Sequence, residues 1–240
     1  MLGGSERTTL TADDGNRLAA TVARTREASS AGVAILPDVR GLHPYYERLA
    51  EHLADAGVHA VAIDPYGRTA GAEHREDGFD HAPHRAAARD QGLRADTRAA
   101  AGALRGLGAT AVVSLGFCFG GRASLMQASQ PSVDGVIAFY GPPARREGDQ
   151  PSPLDEARDR RVRVPVLGLY GGADSGIPND TVERMQKALK DAGKPSEIVV
   201  YPDTPHGFHA DYRPSYRQDK AEDGWKRMLA WLKDHGVGQS

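Results

Sequence analysis

Ala109-Thr110-Ala111-Val112-Val113-Ser114-Leu115 runs into Gly116-Phe117-Cys118-Phe119-Gly120-Gly121, and Arg122-Ala123-Ser124-Leu125-Met126-Gln127 follows. The first stretch is a short apolar run, the second a glycine-framed turn, and the third is compatible with a helix. A strand, a sharp turn and a helix with a nucleophile at the apex form a nucleophile elbow, and here a thiol stands where serine is usual. A free cysteine on its own is more often a small buried hydrophobe than a reactive group. Within this turn the balance reverses, because the flanking glycines permit a strained backbone and close approach of neighbouring chain.

Outward from the elbow, short strand-like runs alternate with helical patterns. Strands are expected at 18–23, 32–36, 58–63, 111–115, 133–140, 164–170 and 197–201, most of them rich in valine and isoleucine. Several are nearly continuous apolar runs, as parallel strands covered on both faces require. Helices are expected at 45–56, 86–107, 121–129, 181–192 and 219–235; in the last, Trp225, Met228, Leu229 and Leu232 recur at spacings of three and four. Gly57 and Gly193-Lys194-Pro195 are the expected stops, and Asp180 the expected cap of the helix starting at Thr181. The polar, glycine-rich 67–84 and the proline-rich 141–163 read as long surface loops. The alternation predicts one α/β domain over residues 1–240, a mainly parallel sheet with helices on both faces.

Composition narrows the function. The 240 residues are 40% hydrophobic and 26% charged, with a formal net charge of −2 and no basic block suited to a nucleic acid. One cysteine excludes an internal disulfide. No cationic leader and no apolar run of roughly 20 residues is present, so neither a secretory signal nor a membrane span is expected, and a cytoplasmic location is.

In open α/β sheets, sites form beyond the carboxyl ends of the strands. Three residues there carry chemistry: Cys118, then Asp174 after Tyr170-Gly171-Gly172-Ala173, then His206 after Tyr201-Pro202-Asp203-Thr204-Pro205. Nucleophile, acid and histidine in that order are the order of the α/β hydrolases. An imidazole takes the thiol proton, since only the thiolate is a strong nucleophile, and a carboxylate on the other ring nitrogen fixes the tautomer. The Phe119 amide is one expected oxyanion donor, and the Val39 amide, in the loop after the strand ending near Pro37, is the other. His81-Ala82-Pro83-His84 and His206-Gly207-Phe208-His209 have metal-like spacing, but neither has a third ligand, so no metal is expected.

These residues resemble the dienelactone hydrolase family, a cysteine-dependent branch of the α/β hydrolases. The likeness runs from about Gly32 to Leu232 through Leu36-Pro37-Asp38-Val39-Arg40-Gly41-Leu42-His43-Pro44, Ala62-Ile63-Asp64-Pro65-Tyr66-Gly67, the cysteine elbow, Tyr170-Gly171-Gly172-Ala173-Asp174 and Tyr201-Pro202-Asp203-Thr204-Pro205-His206-Gly207-Phe208. It implies hydrolysis of a small lactone or ester through an acyl-thioester on Cys118, with no cofactor. In the enzymes that give the family its name, a glutamate after the early strand partners the resting thiol; Asp38 stands there in this chain. They also bind a substrate carboxylate with two arginines, one of them four residues after the histidine, where this chain has Ala210; Arg213 and Arg85 are the candidate replacements. Tyr140 and Phe117 are candidate pocket walls. A monomer or small homo-oligomer is expected. The alternatives are a broad carboxylesterase or thioesterase with the same triad, and a non-catalytic ligand binder on the same scaffold.

Overall fold

A computed structural model describes residues 4–144 and 151–235. Part of the expected 141–163 loop therefore lies outside the described residues. Eight strands form one sheet: β1 (Ser5–Thr11), β2 (Arg17–Ala23), β3 (Ala31–Leu36), β4 (His59–Ile63), β5 (Ala111–Phe117), β6 (Gly135–Phe139), β7 (Val166–Gly171) and β8 (Ser196–Tyr201). Their order across the sheet is β1-β2-β4-β3-β5-β6-β7-β8. β1 and β2 are antiparallel and β2 meets β4 antiparallel, whereas every neighbouring pair from β4 to β8 is parallel. All seven expected strands form.

The helices are α1 (Pro44–Asp55), α2 (Gly67–Ala70), α3 (Ala82–Ala87), α4 (Asp90–Gly106), α5 (Phe119–Leu125), α6 (Pro153–Arg158), α7 (Asn179–Asp191) and α8 (Gln218–Asp234). Alternate strand residues feed two cores. Val33, Ile35, Leu115, Ile137 and Leu169 pack with Tyr46, Leu53, Met228 and Leu232 of α1 and α8. On the opposite face Ala34, Leu36, Val112, Val136 and Ala138 pack with Leu104, Leu125, Leu154 and Leu189 of α4, α5, α6 and α7. Helices thus cover both faces, which is why the central strands read as unbroken apolar runs.

Four details depart from the sequence expectations. β1 was not anticipated: it is polar and mostly exposed, an antiparallel edge whose side chains carry no core signal. The expected helix 86–107 breaks at Ala88 and Arg89, both extended, because Asp90 is drawn to the buried Arg122 at 3.1 Å and Arg89 donates to the Ala86 and Ala88 carbonyls at the end of α3. Two of the expected loops contain helices, α2 and α6, and α6 starts with a capping box in which Ser152 and Asp155 bond each other's backbone N–H. Asp180 does not cap α7: that helix starts at Asn179, and Asp180 pairs with Arg184 at 3.0 Å in its first turn. Gly57, at φ 86°, does end α1.

The chain crosses from one side of β3 to the other between β4 and β5. At such a switch point the loops leaving neighbouring strands diverge and open a crevice. Here the diverging loops are residues 37–43, after β3, and the Cys118 turn, after β5. Among the described residues no helix is long and apolar enough to cross a membrane.

Candidate active site

Cys118 sits between β5 and α5 with φ 54° and ψ −113°, a conformation that L-residues rarely adopt. Its amide donates to the Phe139 carbonyl (3.0 Å) and its carbonyl accepts from the Arg122 amide (3.0 Å), so β6 and α5 hold the turn from both ends. A side chain at position 120 would meet the Leu36 carbonyl oxygen at 2.0 Å, so only glycine lets the elbow pack directly against the end of β3. The thiol is half-buried. Phe119 is the first residue of α5, where backbone N–H groups lack partners within the helix. The Val39 N–H makes no hydrogen bond among the described residues, while the Val39 carbonyl accepts from the Tyr66 hydroxyl at 2.8 Å.

Asp174 lies beyond β7 and His206 beyond β8, and the fold brings them together: His206 Nδ1 is 2.6 Å from Asp174 Oδ2. The other carboxylate oxygen accepts the Gly176 amide at 2.8 Å, so the acid is oriented before it meets the ring. Asp174 is buried, whereas the His206 side chain remains about one-third exposed. Burial works against a charge on His206, but the Asp174 hydrogen bond and the influence of the Cys118 sulfur outweigh it and raise its pKa to about 9. An imidazole oriented by a carboxylate is the kind of group that takes a proton from a thiol and returns it to a leaving group. Tyr140, at φ 39°, lies edge-on to the His206 ring, centroids 4.9 Å apart, while Phe117 is part of the core and stacks on Phe139.

The other expected site residues fall differently. The buried Asp38 carboxylate has no hydrogen bond to the thiol; Oδ1 accepts the Arg40 amide at 2.9 Å, and Oδ2 accepts the Tyr212 hydroxyl at 2.6 Å and a guanidinium N–H of Arg213. Arg213 is ion-paired with Asp38 through one guanidinium nitrogen, its side chain about one-quarter exposed. Arg85 is exposed on α3. Tyr66, Phe79 and His84 form a run of ring contacts that reaches Phe119. Tyr66 belongs to the motif at 62–67, whereas no motif or spacing in the sequence marks Tyr212.

His209, three residues after His206, is buried on the far side of this loop with Nδ1 2.5 Å from the Tyr45 hydroxyl. Burial lowers its pKa to about 4. A cavity of about 340 Å³ opens beside it, lined by Tyr45, His52, Tyr216 and Trp225 among others and not by Cys118. Among the described residues, no group of three or more His, Cys, Asp or Glu side chains is placed to hold a metal.

A sequence model of the Dienelactone hydrolase family matches residues 18–236. A protein of Methylorubrum extorquens, provisionally named carboxymethylenebutenolidase, is 38% identical over 216 residues, covering 85% of this chain and 72% of its own. A protein of Escherichia coli K12 with the same provisional name is 47% identical over 131 residues, 52% of this chain and 46% of its own. A solved structure from Klebsiella pneumoniae, provisionally described as a dienelactone hydrolase, superposes with a TM-score of 0.85 at 34% identity and covers 96% of this chain and 98% of that one. The chain belongs to the dienelactone hydrolase family and is an ester-bond hydrolase of the α/β-hydrolase fold.

Proposed function

We propose that this enzyme hydrolyses small lactones or esters by acyl transfer to Cys118. The observation that carries the reading is the His206 ring held at 2.6 Å by Asp174, with Asp174 and the Cys118 sulfur together raising its pKa to about 9. In this mechanism His206 takes the thiol proton, the sulfur attacks the acyl carbon, and the carbonyl oxygen collects negative charge facing the Phe119 and Val39 amides. Collapse breaks the acyl C–O bond, the leaving oxygen takes the proton from His206, and the acyl group remains as a thioester. For a lactone the leaving oxygen stays tethered to that acyl group. Water then gives a proton to His206 and attacks the thioester; the C–S bond breaks, the acid departs and the thiol returns. Asp174 orients the ring and supports its positive form throughout. Side chains, two amides and water suffice for every step.

The family name and the names of the relatives favour a lactone of the carboxymethylenebutenolide type, a ring whose leaving oxygen is a stabilised enolate. Arg85 and Tyr140 are the candidates for contacting the substrate. The test is hydrolysis of a panel of small lactones, short p-nitrophenyl esters and thioesters by the wild type and by Cys118→Ala. Turnover of lactones that Cys118→Ala lacks, in a folded variant, supports the reading. Full turnover by Cys118→Ala sinks the mechanism, and a preference for thioesters redirects the substrate class.

A further inference from the structure

We propose that Asp38, Tyr212 and Arg213 form a clamp that aims the Val39 amide at the reacting carbonyl, which makes Asp38 a positioning residue for the oxyanion loop and not a partner of the thiol. The inference rests on the catalytic reading above and adds to it.

The loop after β3 is closed on itself around Val39. Asp38 Oδ1 accepts the Arg40 amide (2.9 Å) and the Asp38 carbonyl accepts the Gly41 amide (3.1 Å), so the turn is tied across Val39 by side chain and backbone together. The Asp38–Val39 peptide plane is thus fixed through its carbonyl, and its N–H, on the opposite edge of a trans peptide, has no partner among the described residues. Tyr66 holds the next carbonyl, that of Val39, at 2.8 Å, and the Asp38 amide donates to the Tyr46 hydroxyl at 3.0 Å. Of the hydrogen-bonding groups from the Asp38 amide to the Val39 carbonyl, the Val39 N–H alone has no partner among the described residues. The loop also rests directly on the elbow, since the Leu36 and Pro37 carbonyls occupy the space that a side chain at Gly120 would need.

One anchor of this turn comes from the far end of the chain. Tyr212 and Arg213 both donate to Asp38 Oδ2, and the Arg40 guanidinium lies 4.3 Å over the Tyr212 ring. These residues follow His206 in the same loop, so the segment carrying the base also holds the oxyanion donor. A charge-assisted clamp between two buried or half-buried partners keeps donor and base in one geometry, and an oxyanion donor is useful only when it is already aimed before charge develops. Among the described residues the hydrogen bonds of the Asp38 carboxylate run to Arg40, Tyr212 and Arg213, and none runs to the Cys118 thiol.

The test separates kcat, KM and thiol reactivity in Arg213→Gln, with Tyr212→Phe as the milder variant should Arg213→Gln fail to fold, and Arg213→Lys as the conservative control. Ester hydrolysis builds an oxyanion and alkylation by iodoacetamide does not. The clamp predicts a 10- to 100-fold fall in kcat with KM changed less than about threefold, partial recovery in Arg213→Lys, and an unaltered pH profile for alkylation of Cys118. A rise in KM alone would make Arg213 a substrate ligand and overturn the proposal. A shifted alkylation profile would return Asp38 to the thiol and overturn it as well, as would an unchanged kcat. Activity that survives in Cys118→Ala points instead to failure of the catalytic reading, so the two failures are distinguishable.

Discussion

Two histidines in one loop, His206 and His209, are pushed in opposite directions. His206 has a carboxylate on one ring nitrogen, and with Asp174 and the Cys118 sulfur favouring its charged form its pKa rises to about 9; His209 has a tyrosine hydroxyl and burial, and its pKa falls to about 4. In sequence they look alike, two histidines flanking Gly207-Phe208. The difference shows that a short loop with one side on the crevice and the other on the core can hold one imidazole ready to carry charge and keep its neighbour neutral.

The largest expected effect separates the two by activity. His206→Gln should lose about 10⁴-fold or more in kcat on any ester the wild type hydrolyses, whereas His209→Gln, measured under the same conditions, should stay within about tenfold. Comparable losses in both would erase the distinction. Next comes the partner: Asp174→Asn leaves the ring in place but removes its charge support and tautomer control, for an expected fall of about 10³- to 10⁴-fold in kcat. Steady-state rates checked against an unchanged circular dichroism spectrum decide that outcome.

A pH profile sharpens the contrast further. Protonation of the leaving oxygen requires the charged form of His206, so kcat/KM should decline on the alkaline side about an apparent pKa near 9, at most tenfold per pH unit beyond it. A decline centred near 7 would show that Asp174 and Cys118 do not hold the proton on the ring. The smallest effect concerns stability and belongs to His209. Its pKa is lowered on folding, from about 6.5 to about 4, so its contribution is present above pH 6.5 and is lost as pH falls toward 4. That difference is worth about 3 kcal/mol. His209→Phe should flatten the acid limb of urea-unfolding stability between pH 6.5 and 4, and an unchanged limb would contradict the burial of this ring.

Much of this architecture is readable in the sequence wherever a short stretch decides it. All seven expected strands form, and the elbow follows from local sterics, a strand leading into a turn that glycines allow to pack closely. Asp174 and His206 are each marked by a strand end, and their chain order supplies the rest. β1 escaped because its side chains face solvent, although Asp14-Gly15 between two extended runs is a hairpin signal that was present. The break between α3 and α4 escaped because alanine-rich propensity favours a continuous helix, and it is overruled by a tertiary contact between Asp90 and Arg122.

For the candidate site, the sequence by itself determined which groups stand at the ends of β5, β7 and β8: a thiol, a carboxylate and an imidazole, each placed by its own strand and turn. It did not determine their partners. Asp38 looks like a thiol partner by position along the chain, and Arg213 like a carboxylate binder, yet the folded protein joins them to each other across 175 residues of sequence separation. The physical reason is range. Backbone sterics and strand periodicity act over a few residues and are written locally, whereas the choice of partner for a buried charge depends on which loops the completed sheet brings face to face, and only the tertiary structure settles that.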